Sequence, residues 1–337
     1  MAEPPLAAKV AALRDPRCYG EPVGRIEAIE THMSWVFLTE THAWKLKKPV
    51  HFGPLDFRSI AARHFYCLEE LRLNARLAPA VYLDVAPLAL RPDGGLRVGD
   101  AGTPVDWLVK MRRLPSDLLL DALLARHAAT PTDMQAIGRR LAAFHHMLPA
   151  APLGARAYRV LLLRRIDEDE QDLASPAWGL PAARVHWLCA WQRAFLAHHA
   201  SLFDTRVAAG RVVEGHGDLR PEHVWLGKPL AIIDALEFSV ELRLQDAADE
   251  VGFLALECER VHAAALGREL LDAWRAASGD PVPSALLDFH QSCRACHRAR
   301  LAILHLQEER YRASPQWRCR ALRYLALAER HARAAGT

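Results

Sequence analysis

An island of short apolar runs, residues 212–238, interrupts a region that otherwise reads as long amphipathic helices. Its pieces, "RVVEGHGDL", "HVWLGKPL" and "AIIDALEF", read as short strands and loops. The helical segments around it cover 117–148, about 156–175, 181–204, 245–277 and 284–335, all rich in Ala, Leu and Arg. Before Asp117 the texture is that of strands around one helix. This order predicts an α+β chain with a small strand-rich lobe over residues 1–112. A larger helical lobe follows over 113–337, carrying one β-loop-β insertion.

A chain of 337 residues can bury a large core, and single cores stop growing near ~250–300 residues, so one two-lobed unit or two domains is expected. The net charge of +3 comes from 43 basic and 40 acidic residues spread along the chain, so no basic stripe argues for nucleic acid and small-molecule partners stay open. The seven cysteines are odd in number and scattered, and "MAEPPLAAKVAALRDPRCYG" lacks a basic segment followed by an apolar one. A reducing, cytoplasmic setting is expected. No apolar stretch approaches the ~18 residues of a spanning helix, so no membrane partner is expected.

In the first third, "SWVFLTETHAWKLKKPV" gives two apolar runs around a polar turn, a hairpin whose second arm carries Lys45 and Lys47. "FRSIAARHFYCLEELRLNARLAP" places Ile60, Phe65, Leu68, Leu71 and Leu77 at mostly helical spacing and stops at Pro79. A second hairpin turns at "PDGG". "VDWLVKMRRLP" is a further strand that runs into the connector between lobes.

The stretch "HGDLRPEHVWL" resembles the aminoglycoside-phosphotransferase pattern HGDLxxxN and, more loosely, the protein-kinase pattern HRDLKPEN. Sixteen residues past Asp218, "AIIDALEF" offers Asp234 where that superfamily places a metal-binding Asp. The chain is similar over most of its length to a bacterial branch of aminoglycoside-phosphotransferase-like proteins, including "ETHMSWVFLT", "WKLKKPV", "EELRLNARLAP" and "LEF". The resemblance implies a two-lobed protein-kinase-like fold. It also implies a small-molecule phosphotransferase that moves the γ-phosphoryl group of ATP or GTP to the hydroxyl of an unidentified acceptor, with Mg²⁺ or Mn²⁺.

Phosphoryl transfer asks a protein mainly to position the nucleophile and neutralise phosphate charge. Asp218 is expected to orient the acceptor hydroxyl and take its proton. Arg220, at the Lys position of HRDLKPEN, is expected to meet the moving group with a planar fork of donors. Asp234 is expected to hold the metal. His223 departs from the pattern, which has Asn there: imidazole suits Mn²⁺ or Zn²⁺ better than Mg²⁺. Three outcomes follow for it: the ring turns away, it favours another metal, or it marks a protein that binds nucleotide and transfers poorly. His216 is expected to hold the loop by hydrogen bonds. Glu237 is open to a role toward metal or substrate, and Asp246 caps the helix it opens, the resemblance adding that it ties that helix to the loop.

On the nucleotide side, Lys45 fits the A-x-K register of the VAIK strand, with Lys47 second on the same face. Of the adjacent Glu69 and Glu70, Glu70 is chosen as the lysine's partner, the apolar pattern leaving the matter open. Backbone near Met111 is expected to meet the base. No GxGxxG precedes Lys45, which leaves ordinary backbone or Ser34 to cover the phosphates, and Gly227-Lys228 runs into Pro229, which excludes a P-loop kinase. "CRACH" (293–297) matches a haem-attachment signature but reads as part of a continuous basic helix. A second class of function stays in view: a nucleotide-binding regulatory protein of weak catalysis, favoured by His223 and the missing glycine-rich loop.

Overall fold

A computed structural model describes residues 3–52, 55–99, 102–312 and 314–336. Helix α1 (Leu6–Leu13) precedes strands β1 (Glu27–Glu30), β2 (Ser34–Leu38) and β3 (His42–Lys47), the short pair β4 (His51–Phe52) and β5 (Leu55–Asp56), and helix α2 (Ile60–Asn74). Strands β6 (Tyr82–Leu90), β7 (Leu96–Val98) and β8 (Thr103–Arg112) follow. Next come helices α3 (Leu120–Ala125), α4 (Pro131–Met147), α5 (Ala155–Leu173), α6 (Ala182–His198) and α7 (Ala200–Ala208). The island then supplies β9 (Val212–Glu214), β10 (Val224–Trp225), β11 (Ala231–Ile232), the one-turn α8 (Val240–Arg243) and β12 (Leu244–Asp246). Helices α9 (Ala247–Arg260), α10 (Ala264–Ser278), α11 (Ser284–Leu304) and α12 (Pro315–Ala335) close the described chain. Two compact units result: Met1–Leu123 with Glu222–Leu242, and Leu124–Pro221 with Arg243–Thr337.

The first unit is built on a six-stranded sheet in the order β1-β2-β3-β8-β6-β7, antiparallel throughout. The β2–β3 hairpin forms where the sequence predicts it, with Leu38 opposite Ala43 and Ser34 opposite Lys47. Strand alternation along β3 sends Trp44 and Leu46 into one core with Phe37, Leu88 and Leu108. It sends Lys45 and Lys47 to the opposite face, toward α2. A second core there holds Cys67, Val81, Tyr82, Val109 and Trp225.

Helix α2 corrects the apolar pattern. Phe65 and Leu68, expected inside, are 57% and 45% exposed, whereas Arg63, Cys67, Glu70 and Asn74 are buried. The helix stops at Asn74, short of Pro79, and a turn carries the chain on. The inward stripe is polar because its partners are charged. Arg63 Nε donates to Asp106 Oδ1 of β8 at 2.8 Å, and Lys9 Nζ of α1 donates to Asp106 Oδ2 at 2.7 Å. Breaking such a buried pair costs about 3–5 kcal/mol, so this link fixes α1 and α2 against the sheet.

The second unit centres on α9, whose residues Ala247 to Cys258 are all buried. Helices α4 and α10 pack against each other, as do α11 and α12, and α9 meets both α10 and α11. Four predicted long helices prove to be pairs, the one over 181–204 breaking at His199 between α6 and α7. The segment over 117–148 breaks at Thr130, where Thr130 and Asp133 form a reciprocal capping box ahead of Pro131. The one over 245–277 breaks at residues 261–263, with His262 in the left-handed region, and the last breaks between Leu304 and Pro315.

Candidate active site

In the first unit the two strand lysines meet one helix carboxylate. Lys45 Nζ lies 2.9 Å from Glu70 Oε1 and 2.8 Å from Asp234 Oδ1. Lys47 Nζ lies 2.6 Å from Glu70 Oε2 and also pairs with Glu237. Glu70 thus faces inward while Glu69 pairs with Arg72 on the outer side of α2. Burial works to raise the Glu70 pKa, but Lys45 and Lys47 outweigh it and hold the carboxylate below its usual range. Burial likewise opposes charge on Lys45, and Asp234 and Glu70 reverse this and hold the ammonium well above its usual value. The lysines differ in access. Lys47 is fully buried over the Phe57 ring, whereas the Lys45 side chain keeps 15% of its surface.

Asp234 follows β11 with φ at +63°, a conformation that costs a non-glycine residue energy and needs support. Two buried side chains supply it. The Asp234 N–H donates to Tyr82 Oη at 3.0 Å, and the Ala235 N–H donates to Asn74 Oδ1 at 2.9 Å. Asn74 also donates through Nδ2 to the Glu70 carbonyl at 2.8 Å, so one side chain ties α2 to the Asp234 loop. Neither Tyr82 nor Asn74 was singled out from sequence. The signal for Asn74 is a carboxamide on the same helical stripe as Glu70, one turn on.

The His223 ring is turned in. Its Nε2 stands 3.6 Å from Asp234 Oδ2, the side chain is 8% exposed, and β10 and β11 flank the pair. One imidazole nitrogen and one accessible carboxylate converge, a donor set fit for an ion that also takes phosphate oxygens and water. Among the described residues no cluster of three or more His, Cys, Asp or Glu could hold a metal by itself. Glu237, left open by sequence, is spent on Lys47.

In the second unit a single carboxylate holds the "HGD" loop. Glu250 Oε1 accepts from the His216 N–H at 2.6 Å, from the Gly217 N–H at 3.0 Å and from Gln245. Its Oε2 is 2.8 Å from His145 Nε2, and Trp274 Nε1 donates to His145 Nδ1 at 3.2 Å. Because indole only donates, Nδ1 accepts and the Nε2–H points at Glu250. Burial would raise the Glu250 pKa, but His145, His216 and the loop amide hold it at about 2. Two glycines make the arrangement possible. A Cβ at Gly215 would sit 2.6 Å from Glu250 Oε1, and Gly217 takes φ +91°.

His216 is fully buried, and its Nδ1 accepts from the Asp218 N–H at 3.4 Å. Asp218 presents its carboxylate with Arg220 Nε 2.9 Å from Oδ2 and Arg298 Nη1 3.9 Å from Oδ1. Asp246 caps α9 through the Ala248 N–H, but its carboxylate is held bidentately by Arg206. The tie between α9 and the loop is Glu250, one turn later. Its sequence signal was the acid pair Asp249-Glu250 directly ahead of the apolar run 251–256.

Met111 stands at the end of β8 opposite Ala43 of β3, and the N–H groups of Arg112 and Arg113 donate to Val81 O and Thr41 O at 2.8 Å. Ser34 is buried at 2% exposure. Its N–H donates to Thr31 Oγ1 at 3.0 Å, closing a tight β1–β2 connection. The "CRACH" residues lie within α11. Gln192 Nε2 is 3.4 Å from Cys296 Sγ, and His297 Nδ1 is 3.2 Å from Asp169 Oδ1. Burial pushes both the Cys293 and Cys296 thiols well above their usual pKa, and all seven cysteines are free thiols.

Comparison with known proteins agrees with this architecture. Uncharacterised proteins of Mycobacterium tuberculosis and Mycobacterium bovis are each 31% identical over 327 residues, 94% of this chain and 62% of theirs. The chain therefore spans less than two thirds of the curated relatives it matches. No family model matches the chain. Among solved structures, a choline/ethanolamine kinase family protein from Mesorhizobium loti aligns with TM-score 0.58 at 17% identity, covering 98% of each chain. A thermostable mutant of an aminoglycoside phosphotransferase, in its apo form, aligns with TM-score 0.53 at 14% identity over 94% of this chain and 97% of that one. The chain has the protein-kinase-like α+β fold of these phosphotransferases. Among the described residues, no helix is long and apolar enough to cross a membrane.

Proposed function

We propose that the chain is a phosphotransferase that moves the γ-phosphoryl group of ATP or GTP to a hydroxyl of a small molecule. The observation that supports this most is the Lys45–Glu70–Asp234 cluster: an accessible cation fixed by a buried acid, beside a carboxylate held in a strained turn. Lys45 binds the α/β-phosphates, Glu70 orients it, and nucleotide phosphate takes over the contact Lys45 makes with Asp234. The base lies near Met111 and Ala43. Asp234 and His223 are the residues that would hold a divalent ion, Mg²⁺ or Mn²⁺, which when bound would supply charge neutralisation to the nucleotide phosphates.

Asp218 accepts the acceptor's hydroxyl proton as that oxygen bonds to the γ-phosphorus. The bond from phosphorus to the bridging oxygen breaks, and the nucleoside diphosphate leaves with the electron pair. Arg220 meets the equatorial oxygens of the moving group. The cytoplasm, where such donors are found, is the expected setting.

A second reading, a nucleotide-binding regulatory protein of weak catalysis, is favoured by the short Thr31–Ser34 turn that stands in place of a glycine-rich loop. Thermal shift with ATP or GTP and Mg²⁺ or Mn²⁺, followed by diphosphate release over a panel of hydroxylated metabolites, separates the two. Absence of stabilisation by any nucleotide sinks both readings. Stabilisation without release on any acceptor leaves the second. Asp218→Asn is expected to lower turnover about 10²–10⁴-fold with nucleotide affinity nearly intact.

A further inference from the structure

Helix α11 carries two arginines one turn apart that are matched unequally: Arg294 is paired, whereas Arg298 bonds to the Tyr324 side chain and keeps one donor open. Arg294 is bidentate to Asp249, at 2.7 and 2.9 Å. Arg298, four residues on, has as its ion pair the 3.9 Å approach to Asp218 Oδ1. Its side chain is 12% exposed, its Nε is buried without a hydrogen-bond partner, and its guanidinium lies 6.0 Å from the centroid of the Tyr324 ring. Arg220 stands on the other oxygen of the same carboxylate at 2.9 Å. A buried guanidinium with an open donor is costly unless a charged partner arrives, and Arg cannot shed its proton to escape the cost.

An open donor on a cation is best completed by an anion, and one seated there lies where Asp218 can reach it. We propose that the phosphoryl acceptor is a small hydroxylated molecule bearing its own carboxylate or phosphate, and that Arg298 is the residue that selects it. This rests on the phosphotransfer reading for the word acceptor, but the anion site stands on geometry alone. Cationic alcohols gain nothing from either arginine.

The test uses a matched set of probes: D-glycerate for a carboxylate, glycerol 3-phosphate for a phosphate, glycerol as the neutral parent and choline as the cation. Titration calorimetry of the whole chain, with and without ADP, is expected to show binding of at least one anion and none of choline. Arg298→Gln should weaken that anion about tenfold or more, while Arg298→Lys should retain most of it. Asp218→Asn should tighten the anion, because a repelling carboxylate is removed, and this opposite sign keeps the idea testable should Arg298→Gln fold poorly. Binding of neither anion, an affinity indifferent to Arg298→Gln, or ADP release with choline alone would each overturn the proposal. Arg298-dependent anion binding with no diphosphate release on any acceptor would keep the anion site and discard phosphotransfer. ADP release with choline would do the reverse. If glycerate and glycerol 3-phosphate differ, the better one names the anionic group.

Discussion

The lysine cluster of the first unit and the "HGD" loop of the second are held in place by opposite means. Around Lys45 and Lys47, charged side chains hold charged side chains: two ammonium groups and the carboxylates of Glu70, Asp234 and Glu237. At the loop, one carboxylate holds backbone, since Glu250 takes the His216 and Gly217 amides directly. In the first case the groups that would meet a ligand are themselves the fasteners. In the second, the fastener is a residue that touches no ligand, so position and chemistry can be damaged separately.

The largest expected effect breaks the second arrangement. Glu250→Ala strands two buried amides and the His145 N–H, and should cost about 5 kcal/mol of unfolding free energy in urea, at the upper end for a broken buried charge network. Transfer should fall with it while nucleotide affinity holds. An unchanged urea midpoint would mean the loop stands without its fastener.

Next comes a contrast inside the first arrangement. Lys47→Met keeps volume but leaves the buried Glu70 and the nearly buried Glu237 short of a counter-charge, at a cost of about 3 kcal/mol in stability. Lys45→Met should instead show chiefly as a tenfold or greater loss of nucleotide affinity by calorimetry. If the two variants behave alike, burial does not sort fastener from ligand here.

A smaller effect concerns the ion. His223→Asn should lower the ratio of Mn²⁺- to Mg²⁺-supported nucleotide affinity a few-fold, on the order of 1 kcal/mol, as a nitrogen donor is exchanged for oxygen. An unchanged ratio would remove the ring from the ion site.

A last comparison extends to a side-chain cluster of the second unit. His331 of α12 lies between Glu259 and Asp288, at 2.9 and 2.7 Å. Burial opposes its charge, but those carboxylates raise its pKa from 6.5 to about 9. A raised pKa means the stabilisation is complete below 6.5 and is lost as pH climbs through about 9. His331→Gln should flatten that alkaline limb, an effect on the order of 1–2 kcal/mol at neutral pH, read from urea midpoints across the window.

The sequence was most legible where local chemistry decides. The hairpin around Thr39–Thr41 and the alternation that put Lys45 and Lys47 on one face followed from strand period. It misled where a helix buries charge: α2 exposes Phe65 and Leu68 because Arg63 and Glu70 have partners on distant strands that no local window contains. Glu250 was overlooked for the same reason. Asp246, at the helix start, has a local explanation as a cap, whereas the acid one turn later makes sense only when the loop amides more than thirty residues earlier are beside it.

The burial of α9 bears on how the loop moves in time. Twelve successive residues of this helix, Ala247 to Cys258, lie out of water, so fraying in the folded unit is confined to its last two residues. Its amides should exchange with deuterium only through opening of the whole unit, and the His216 and Gly217 amides, tethered to Glu250 on that same helix, should share its slow regime. The Asp218 carboxylate, 22% exposed, is thus offered to solvent from one of the slowest-exchanging stretches of the chain.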